Sequence, residues 1–181
     1  MSAGIEWGTK PSQQKICEMM KMCDDCPVQT SCVGNEGIRV TLDEGATLPT
    51  RGSEEAAGFD LYASSDVLVG EQSTLVPTGV HMAIPKGYVG LIRSRSGMAY
   101  KNNVYTEAGV IDSDYRGPIG VVMYYNYVPH IRGMPIDVYK INKGDRVAQL
   151  LIVPVNMANC VEVQSLDDTV RGDGGYGSTG K

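Results

Sequence analysis

The chain has no apolar run close to the length needed to cross a membrane. Its longest apolar stretches are the size of single strands, whereas a spanning helix needs about 20 apolar residues. The N-terminal segment MSAGIEWGTKPSQQK also lacks the apolar core of a secretory signal. We therefore expect a protein of the cytoplasm or nucleus with no membrane partner.

The sequence also lacks a strong excess of charge and has few histidines. Its 16 basic and 21 acidic residues give a net charge of −5 and are mixed along the chain, so no broad basic surface for nucleic acid is expected. The two histidines are His81 and His130, and His81 lies in an alternating strand pattern. A histidine-based triad is therefore not expected, and phosphate chemistry would have to use local basic groups.

Cysteine is scarce along most of the chain and dense near its start. Four of the five cysteines fall within KICEMMKMCDDCPVQTSC, and they are Cys17, Cys23, Cys26 and Cys32. A CxxC pair brings two sulfurs onto one metal, and four thiolates would order a segment too small for a core. The pattern predicts a site for zinc or an iron–sulfur cluster, and CDDCPVQTSC resembles the CxxCPVxxxC part of WhiB-like iron–sulfur proteins. The alternative is a flexible arm whose reduced cysteines bind nothing.

From Ile38 onward, short apolar runs alternate with turn residues. Runs of this length, rich in Val, Ile, Leu and Tyr, predict an all-β sandwich or barrel. Only SGMAYKNN predicts a short helix, and Cys160 would be a small buried hydrophobe in a strand. The predicted strands lie in IRVTL, LPTRGSEEAAGFDLYAS, STLVPTGVHMAIP, YVGLIRSR, IGVVMYYNY, IDVYKI, RVAQLLIVPV and CVEVQSL.

Two glycine-bearing segments carry most of the candidate chemistry. AGVIDSDYRG holds two carboxylates, a tyrosine ring and an arginine between the irregular polar segment KNNVYTE and a predicted strand, which indicates a binding turn. On sequence alone, either Asp112 or Asp114 could serve as a base. The last eleven residues, RGDGGYGSTGK, contain five glycines and predict a mobile arm that wraps phosphate. The alternative for the arm is a disordered terminus.

Five segments in order resemble the trimeric deoxyuridine triphosphatase family, the dUTP pyrophosphatases. They are AGFDLYAS, RSGMA, AGVIDSDYRG, GDRVAQL and RGDGGYGSTG, and the resemblance covers Ile38 to Lys181. It implies a jelly-roll, or β-clip, subunit that forms a homotrimer, with each active site built from more than one subunit. The chain would divide into a Cys-rich extension at 1–37, a β domain at 38–170 and a closing arm at 171–181.

The resemblance implies hydrolysis of dUTP to dUMP and pyrophosphate, with Mg²⁺ held mainly by the substrate phosphates. Asp112 matches the catalytic aspartate, which would activate the water that attacks the α-phosphorus. Tyr115 would lie against the deoxyribose and leave no room for a 2′-hydroxyl. Backbone groups of residues 106–110, including Gly109, would bind uracil.

The other residues that match the family's substrate contacts would bind phosphate or cover the base. Arg171 would pair with the γ-phosphate, and Tyr176 would stack over uracil where phenylalanine is more usual. Ser94 stands where a proline commonly precedes the arginine of the phosphate segment. This departure bears on the conformation of the loop rather than on the role of Arg95. The predicted phosphate contacts are Arg95, Ser96, Gly97, Gln149, Ser178 and Thr179, and Gly177 is a further predicted substrate contact.

Two further residues of the matching segments have structural interpretations. Asp60, in AGFDLYAS, matches a family aspartate near the metal and phosphates, but a buried acid that holds loops together explains it equally well. Arg146 would place a charge at a subunit interface. Neither residue is assigned a catalytic role.

Two other functions are weighed against dUTP hydrolysis. A dCTP deaminase shares the fold, but that family characteristically has a glutamate just after the third segment, where this chain has VVMYYN. A regulatory or interaction protein that works through the Cys-rich arm is the second alternative. The exposed stretch at 126–137 would be a tolerated insertion or a partner-binding loop.

Overall fold

The computed structural model describes residues 37–126 and 138–175. The N-terminal segment, with its predicted thiolate ligands Cys17, Cys23, Cys26 and Cys32, lies outside the described residues. So do most of the 126–137 loop and the arm residues Tyr176, Gly177, Ser178 and Thr179.

The described residues form ten strands and one short helix, and within them no helix is long and apolar enough to cross a membrane. The elements in chain order are β1 (Arg39–Leu42), β2 (Phe59–Tyr62), β3 (Val67–Val69), β4 (Thr74–Ala83), β5 (Tyr88–Ser94), α1 (Ser96–Asn102), β6 (Val104–Glu107), β7 (Val110–Ile111), β8 (Ile119–Tyr125), β9 (Tyr139–Ile141) and β10 (Arg146–Pro154).

Two four-stranded antiparallel sheets share one core. Their strand orders are β1-β4-β8-β6 and β2-β10-β5-β7, and β3 pairs with β9 in a small third sheet. Alternate side chains of a strand point to opposite faces, and in β8 every second residue from Ile119 to Tyr125 is buried. Val76 and Val121 from the first sheet join Leu61 and Leu150 from the second in the same apolar cluster. The all-β prediction is confirmed.

The helix prediction is also confirmed, but the segment that follows the helix corrects another one. KNNVYTE was expected to be irregular, yet its last four residues form β6 and pair with β8. Val104 is fully buried, and the Tyr105 ring stacks on Tyr124 with 5.5 Å between centroids. The alternation of an apolar and a polar position in VYTE is the strand signal, and the polar residues before it obscured that signal.

The predicted strand CVEVQSL is wrong for a single chain. No strand is present between Pro154 and residue 175, and Cys160 is exposed rather than buried. Val161, Val163 and Leu166 are 78%, 58% and 84% exposed. A strand is stable only when neighbouring backbone and apolar faces pair with it, and the described residues offer this segment no such partner.

Candidate active site

The turn between β7 and β8 is closed by its own hydrogen bonds. The Tyr115 N–H donates to the Asp112 carbonyl at 3.2 Å, and the Tyr115 hydroxyl donates to the Pro118 carbonyl at 3.1 Å. The Arg116 guanidinium folds back to donate to two carbonyls of the same turn, at 2.7 and 2.8 Å. Residues 112–118 therefore form a compact, internally hydrogen-bonded loop.

This turn presents two acids and one ring to solvent. Asp112 and Asp114 are both exposed, and neither carboxylate has a hydrogen-bond partner among the described residues. The Tyr115 residue is 43% exposed. Its hydroxyl is anchored at Pro118, so the ring is held at a fixed place on the turn. The choice of Asp112 over Asp114 still rests on the family motif.

The backbone just before this turn requires glycine at position 109. Gly109 has φ of +100°, and its carbonyl accepts a hydrogen bond from the Ile92 N–H at 2.8 Å. A Cβ at this position would lie 2.7 Å from the Ile92 Cβ. The preceding Ala108 also has positive φ, +54°, a conformation that costs free energy and is often found at functional sites. The predicted base-binding segment thus lies directly against β5.

A buried carboxylate holds two arginines at the start of the predicted phosphate segment. Asp60 is 4% exposed, and its two oxygens accept from Arg95 Nε at 3.1 Å and from Arg146 Nη1 at 3.2 Å. Arg95 Nη1 also donates to the Arg146 carbonyl at 3.3 Å. With three of its five N–H groups outside these bonds, Arg95 can still bind an anion. Together, Asp60 and the two arginines carry one net positive charge, which favours the binding of phosphate.

Ser94 links the phosphate segment to the base-binding segment. Its hydroxyl accepts a hydrogen bond from the Thr106 N–H at 2.9 Å and lies 2.9 Å from the Thr106 hydroxyl. A proline at position 94 would lack this hydroxyl. The departure from the family's usual residue therefore gives this chain a side-chain bridge between the end of β5 and β6.

The remaining predicted phosphate contacts occupy positions on different elements. Ser96 and Gly97 begin α1, where backbone N–H groups have no intrahelical acceptor. Gln149 lies on β10 directly opposite Asp60 of β2, and cross-strand partners share a face of the sheet. Arg171 donates through Nε to the Gly174 carbonyl at 2.9 Å, a local contact that does not bring it to the other arginines.

A single chain does not bring Asp112 close to Arg95. Ile111 lies opposite Gly90 in the β5–β7 pair, so Asp112 leaves the sheet near Val89. Arg95 follows six residues further along the chain, and six residues of strand span about 20 Å. The carboxylate turn and the arginine pair therefore lie towards opposite ends of β5, which favours a site completed by another copy of the chain.

No group of three or more His, Cys, Asp or Glu side chains able to hold a metal occurs among residues 37–126 and 138–175. A magnesium ion carried by a triphosphate needs few protein ligands, because it keeps several waters and takes phosphate oxygens as ligands. The exposed carboxylates of the turn are compatible with such an ion.

Replacing Asp60 with asparagine is expected to loosen Arg95 and to weaken phosphate binding. The new amide group would aim N–H donors at an arginine, so we expect a loss of about 1–3 kcal/mol in the free energy of unfolding and a raised KM for a phosphate-bearing substrate. Denaturant unfolding and steady-state kinetics measure the two effects. The matched control is Asp66→Asn, which removes an exposed pair with Lys140 at 3.3 Å while its side-chain oxygen can still accept the Lys143 N–H, so it should change stability much less than Asp60→Asn. Equal effects of both changes would contradict the role of Asp60 in holding Arg95 and Arg146.

The fold and these side chains define an all-β subunit with a carboxylate-bearing turn and a separate arginine cluster suited to anions. The dUTPase family model matches residues 44–180 of the chain. The deoxyuridine 5′-triphosphate nucleotidohydrolase of Mus musculus is 43% identical over 143 residues, which cover 78% of this chain and 83% of the mouse protein. The chain belongs to the dUTPase family.

Solved structures agree with this assignment. A mutant dUTPase of Staphylococcus bacteriophage 80alpha with dUpNHpp is 28% identical, with a TM-score of 0.74, and the match covers 81% of this chain and 100% of the phage chain. A mutant dUTPase from phage phi11 of S. aureus, whose structure reveals the coordination of a structural Mg(II) ion, is 29% identical with a TM-score of 0.65. That match covers 72% of this chain and 98% of the phage chain.

Proposed function

We propose that this protein hydrolyses dUTP to dUMP and pyrophosphate, which limits uracil in DNA and supplies dUMP for dTMP synthesis. The observation that carries the proposal is the 112–118 turn of a dUTPase-family chain, with an exposed Asp112 carboxylate that has no partner among the described residues and a fixed Tyr115 ring. An exposed carboxylate beside a ring and a glycine-lined backbone segment provides groups for the attacking water, the sugar and the base.

Base and sugar selection would be the task of the backbone at 106–110 and of Tyr115. The absence of a side chain at Gly109 lets a planar base approach backbone groups that are held against β5. Buried hydrogen bonds reject a base with the wrong donors more strongly than an apolar slot does. The anchored Tyr115 ring would close the space where a 2′-hydroxyl would lie.

Asp112 would orient the attacking water and take its proton. The water oxygen would form a bond to the α-phosphorus while the bond from that phosphorus to the bridging oxygen breaks, and pyrophosphate would leave. A positioned general base contributes about 10²- to 10⁴-fold to such a step. Asp112 has no competing ion pair among the described residues, which supports this role.

The phosphates would be bound by Arg95, Ser96, Gly97 and Gln149, with Arg171 on the γ-phosphate. Asp60 supports this role because it fixes Arg95 through Nε, and three of the outer N–H groups of Arg95 stay outside the described bonds and can bind an anion. Magnesium, when bound mainly to the phosphate oxygens, would neutralise negative charge and fix the triphosphate conformation. In the arm, Tyr176 would stack on uracil, Ser178 and Thr179 would contact phosphate, and Gly177 would be a further substrate contact.

We further propose that the enzyme is a homotrimer. The distance along β5 between the carboxylate turn and Arg95 supports a site shared between subunits. The segment after β10 gives independent support, because Val161, Leu166 and Val170 are 78%, 84% and 111% exposed and need cover from another surface. Light scattering should give a particle of three times the 19.5 kDa chain mass, and a monomer at working concentration would contradict the proposal.

The N-terminal cysteines remain a separate proposal that rests on their spacing. Binding of zinc or an iron–sulfur cluster by Cys17, Cys23, Cys26 and Cys32 would show as stoichiometric metal in purified protein and would be lost on cysteine substitution. We also propose the cytoplasm or nucleus as the compartment, which imaging of the tagged full chain would test.

The proposed activity can be separated from its nearest rival with two substrates. Purified protein with Mg²⁺ is incubated with dUTP and with dCTP in parallel, and pyrophosphate and ammonia are measured. We expect pyrophosphate from dUTP, a strong loss of rate when magnesium is chelated, and no ammonia from dCTP. Ammonia from dCTP would identify a deaminase, and the absence of both products would overturn the proposed enzyme.

A further inference from the structure

His81 bridges two elements that the chain keeps far apart in sequence. It lies on β4, and its Nδ1 is 2.9 Å from the Arg116 carbonyl oxygen in the turn between β7 and β8. Its Nε2 is 3.2 Å from Asp43 Oδ1, just beyond the end of β1. The side chain is 26% exposed, whereas that of Asp43 is 61% exposed. The imidazole is therefore enclosed enough to hold a defined orientation.

This bridge ties the turn to the sheet at a point where the turn's other bonds are local. The hydrogen bonds of Tyr115 and of the Arg116 guanidinium join residues within 112–118. Among the side chains that the structure describes, His81 is the one from another element that bonds to these residues. The Arg116 carbonyl directly follows Tyr115, so a bond there limits rotation of the whole turn relative to β4.

We propose that His81 is a positioning residue for the hydrolysis proposed above: it holds the turn that presents Asp112 and Tyr115 by hydrogen-bonding the Arg116 carbonyl, and it does so most firmly as the imidazolium ion, with Asp43 as its second partner. The inference rests on the proposed function. No role of His81 in the site is predicted from the sequence, because its contacts span 35 and 38 residues along the chain.

The chemistry of the two partners explains the dependence on protonation. A carbonyl and a carboxylate can only accept hydrogen bonds, and an imidazole donates from both nitrogens only when it is protonated. Neutral His81 keeps one donor and turns a lone pair towards its other partner. The bond to the Arg116 carbonyl, followed by the bond to Asp43, raises the pKa of His81 above its usual value of 6.5.

The sign of the pH effect follows from that raised pKa. The stabilising contribution of the bridge is fully present below about pH 6.5 and is lost as the pH rises through the higher pKa of the folded state. The strand β8, on the other side of β4, carries no charged side chain. The charged side chains on the elements packed around His81 are Arg39, Asp43 and Glu44 on the β1 side and Asp112, Asp114 and Arg116 in the turn.

A titration of the histidine rings tests the bridge without any activity measurement. The chain has two histidines, so His130→Gln leaves His81 as the single imidazole signal in an NMR titration of the full chain. We expect a midpoint above pH 6.5, and we expect Asp43→Asn to lower it. A midpoint at or below 6.5, or no response to Asp43→Asn, would overturn the bridge.

Kinetics then test whether the bridge positions the turn. We expect His81→Ala to lower kcat for dUTP about tenfold at pH 6.5, with less effect above the titration midpoint of His81, where wild type loses the imidazolium. His81→Gln can still donate to the Arg116 carbonyl, so it should recover part of kcat and remove the pH dependence. Thr41→Ala, a change at the cross-strand partner of His81, controls for damage to the β1–β4 pair.

The outcomes separate this inference from the function on which it rests. Identical pH profiles of kcat in wild type, His81→Ala and His81→Gln would overturn the positioning role, as would an equal loss in Thr41→Ala. Absence of dUTP hydrolysis in the wild type, together with the expected His81 titration, would instead overturn the proposed function and leave the bridge intact.

Discussion

Replacing Asp112 with asparagine is expected to remove nearly all dUTP hydrolysis, lowering kcat by about 10³-fold or more, while nucleotide binding is retained. Loss of a positioned general base costs about 10² to 10⁴ in rate, and asparagine keeps the size of the side chain but cannot take a proton. The side chain is exposed and unbonded among the described residues, so the change should leave folding intact. Pyrophosphate release measures kcat, and calorimetry with dUpNHpp measures binding.

Asp114→Asn is the matched control for this experiment. Both acids are exposed on the same turn. The two variants therefore change net charge equally and differ only in which of the two positions carries the amide. We expect the Asp114 variant to keep at least about a tenth of the wild-type kcat, since it loses no base. Normal hydrolysis by the Asp112 variant would contradict the mechanism, and loss of activity only in the Asp114 variant would move the base to that position.

Deleting residues 171–181 is expected to abolish hydrolysis, whereas deleting residues 1–36 should leave it largely intact. The C-terminal deletion removes Arg171 and the predicted base-stacking and phosphate contacts, Tyr176 to Thr179. Among the described residues Arg171 bonds only locally, to Gly174, so its removal disturbs no described contact of the β core. The N-terminal segment lies outside the family match, which begins at residue 44.

Circular dichroism and light scattering of both deletion variants control for folding and assembly. A folded C-terminal deletion with normal kcat and KM would show that the arm does not belong to the site. Equal losses of activity in both variants would mean that the Cys-rich segment contributes to catalysis as well, and would favour the alternative in which that segment has a working role.

Local sequence pattern predicted most of the fold. Alternation in runs such as IGVVMYYNY marks strands because one face of each sheet is buried, and β8 buries every second residue. The strand β6 was missed because its four residues follow a polar stretch. CVEVQSL was wrongly predicted as a strand. Its alternation of apolar and polar residues indicates an apolar face that must pack against another surface, and the described residues of one chain do not provide that surface.

The individual residues of the candidate site could be predicted from the sequence, but the contacts that hold them in place could not. The motifs located Asp112, Tyr115, Gly109 and Arg95, and the glycine at 109 is required by the contact with Ile92. The supporting contacts are of a different kind, because Asp60 reaches residues 35 and 86 positions away. Such long-range partners are set by strand order and register, which local composition does not encode.

The most direct test of the account is dUTP hydrolysis by the wild-type protein with Mg²⁺ in ¹⁸O-labelled water, followed by mass spectrometry of the products. Attack of water on the α-phosphorus predicts dUMP that carries one ¹⁸O atom and pyrophosphate that carries none. Label in pyrophosphate would place the attack at the β-phosphorus, and formation of dUDP and phosphate, or no reaction, would contradict the proposed function.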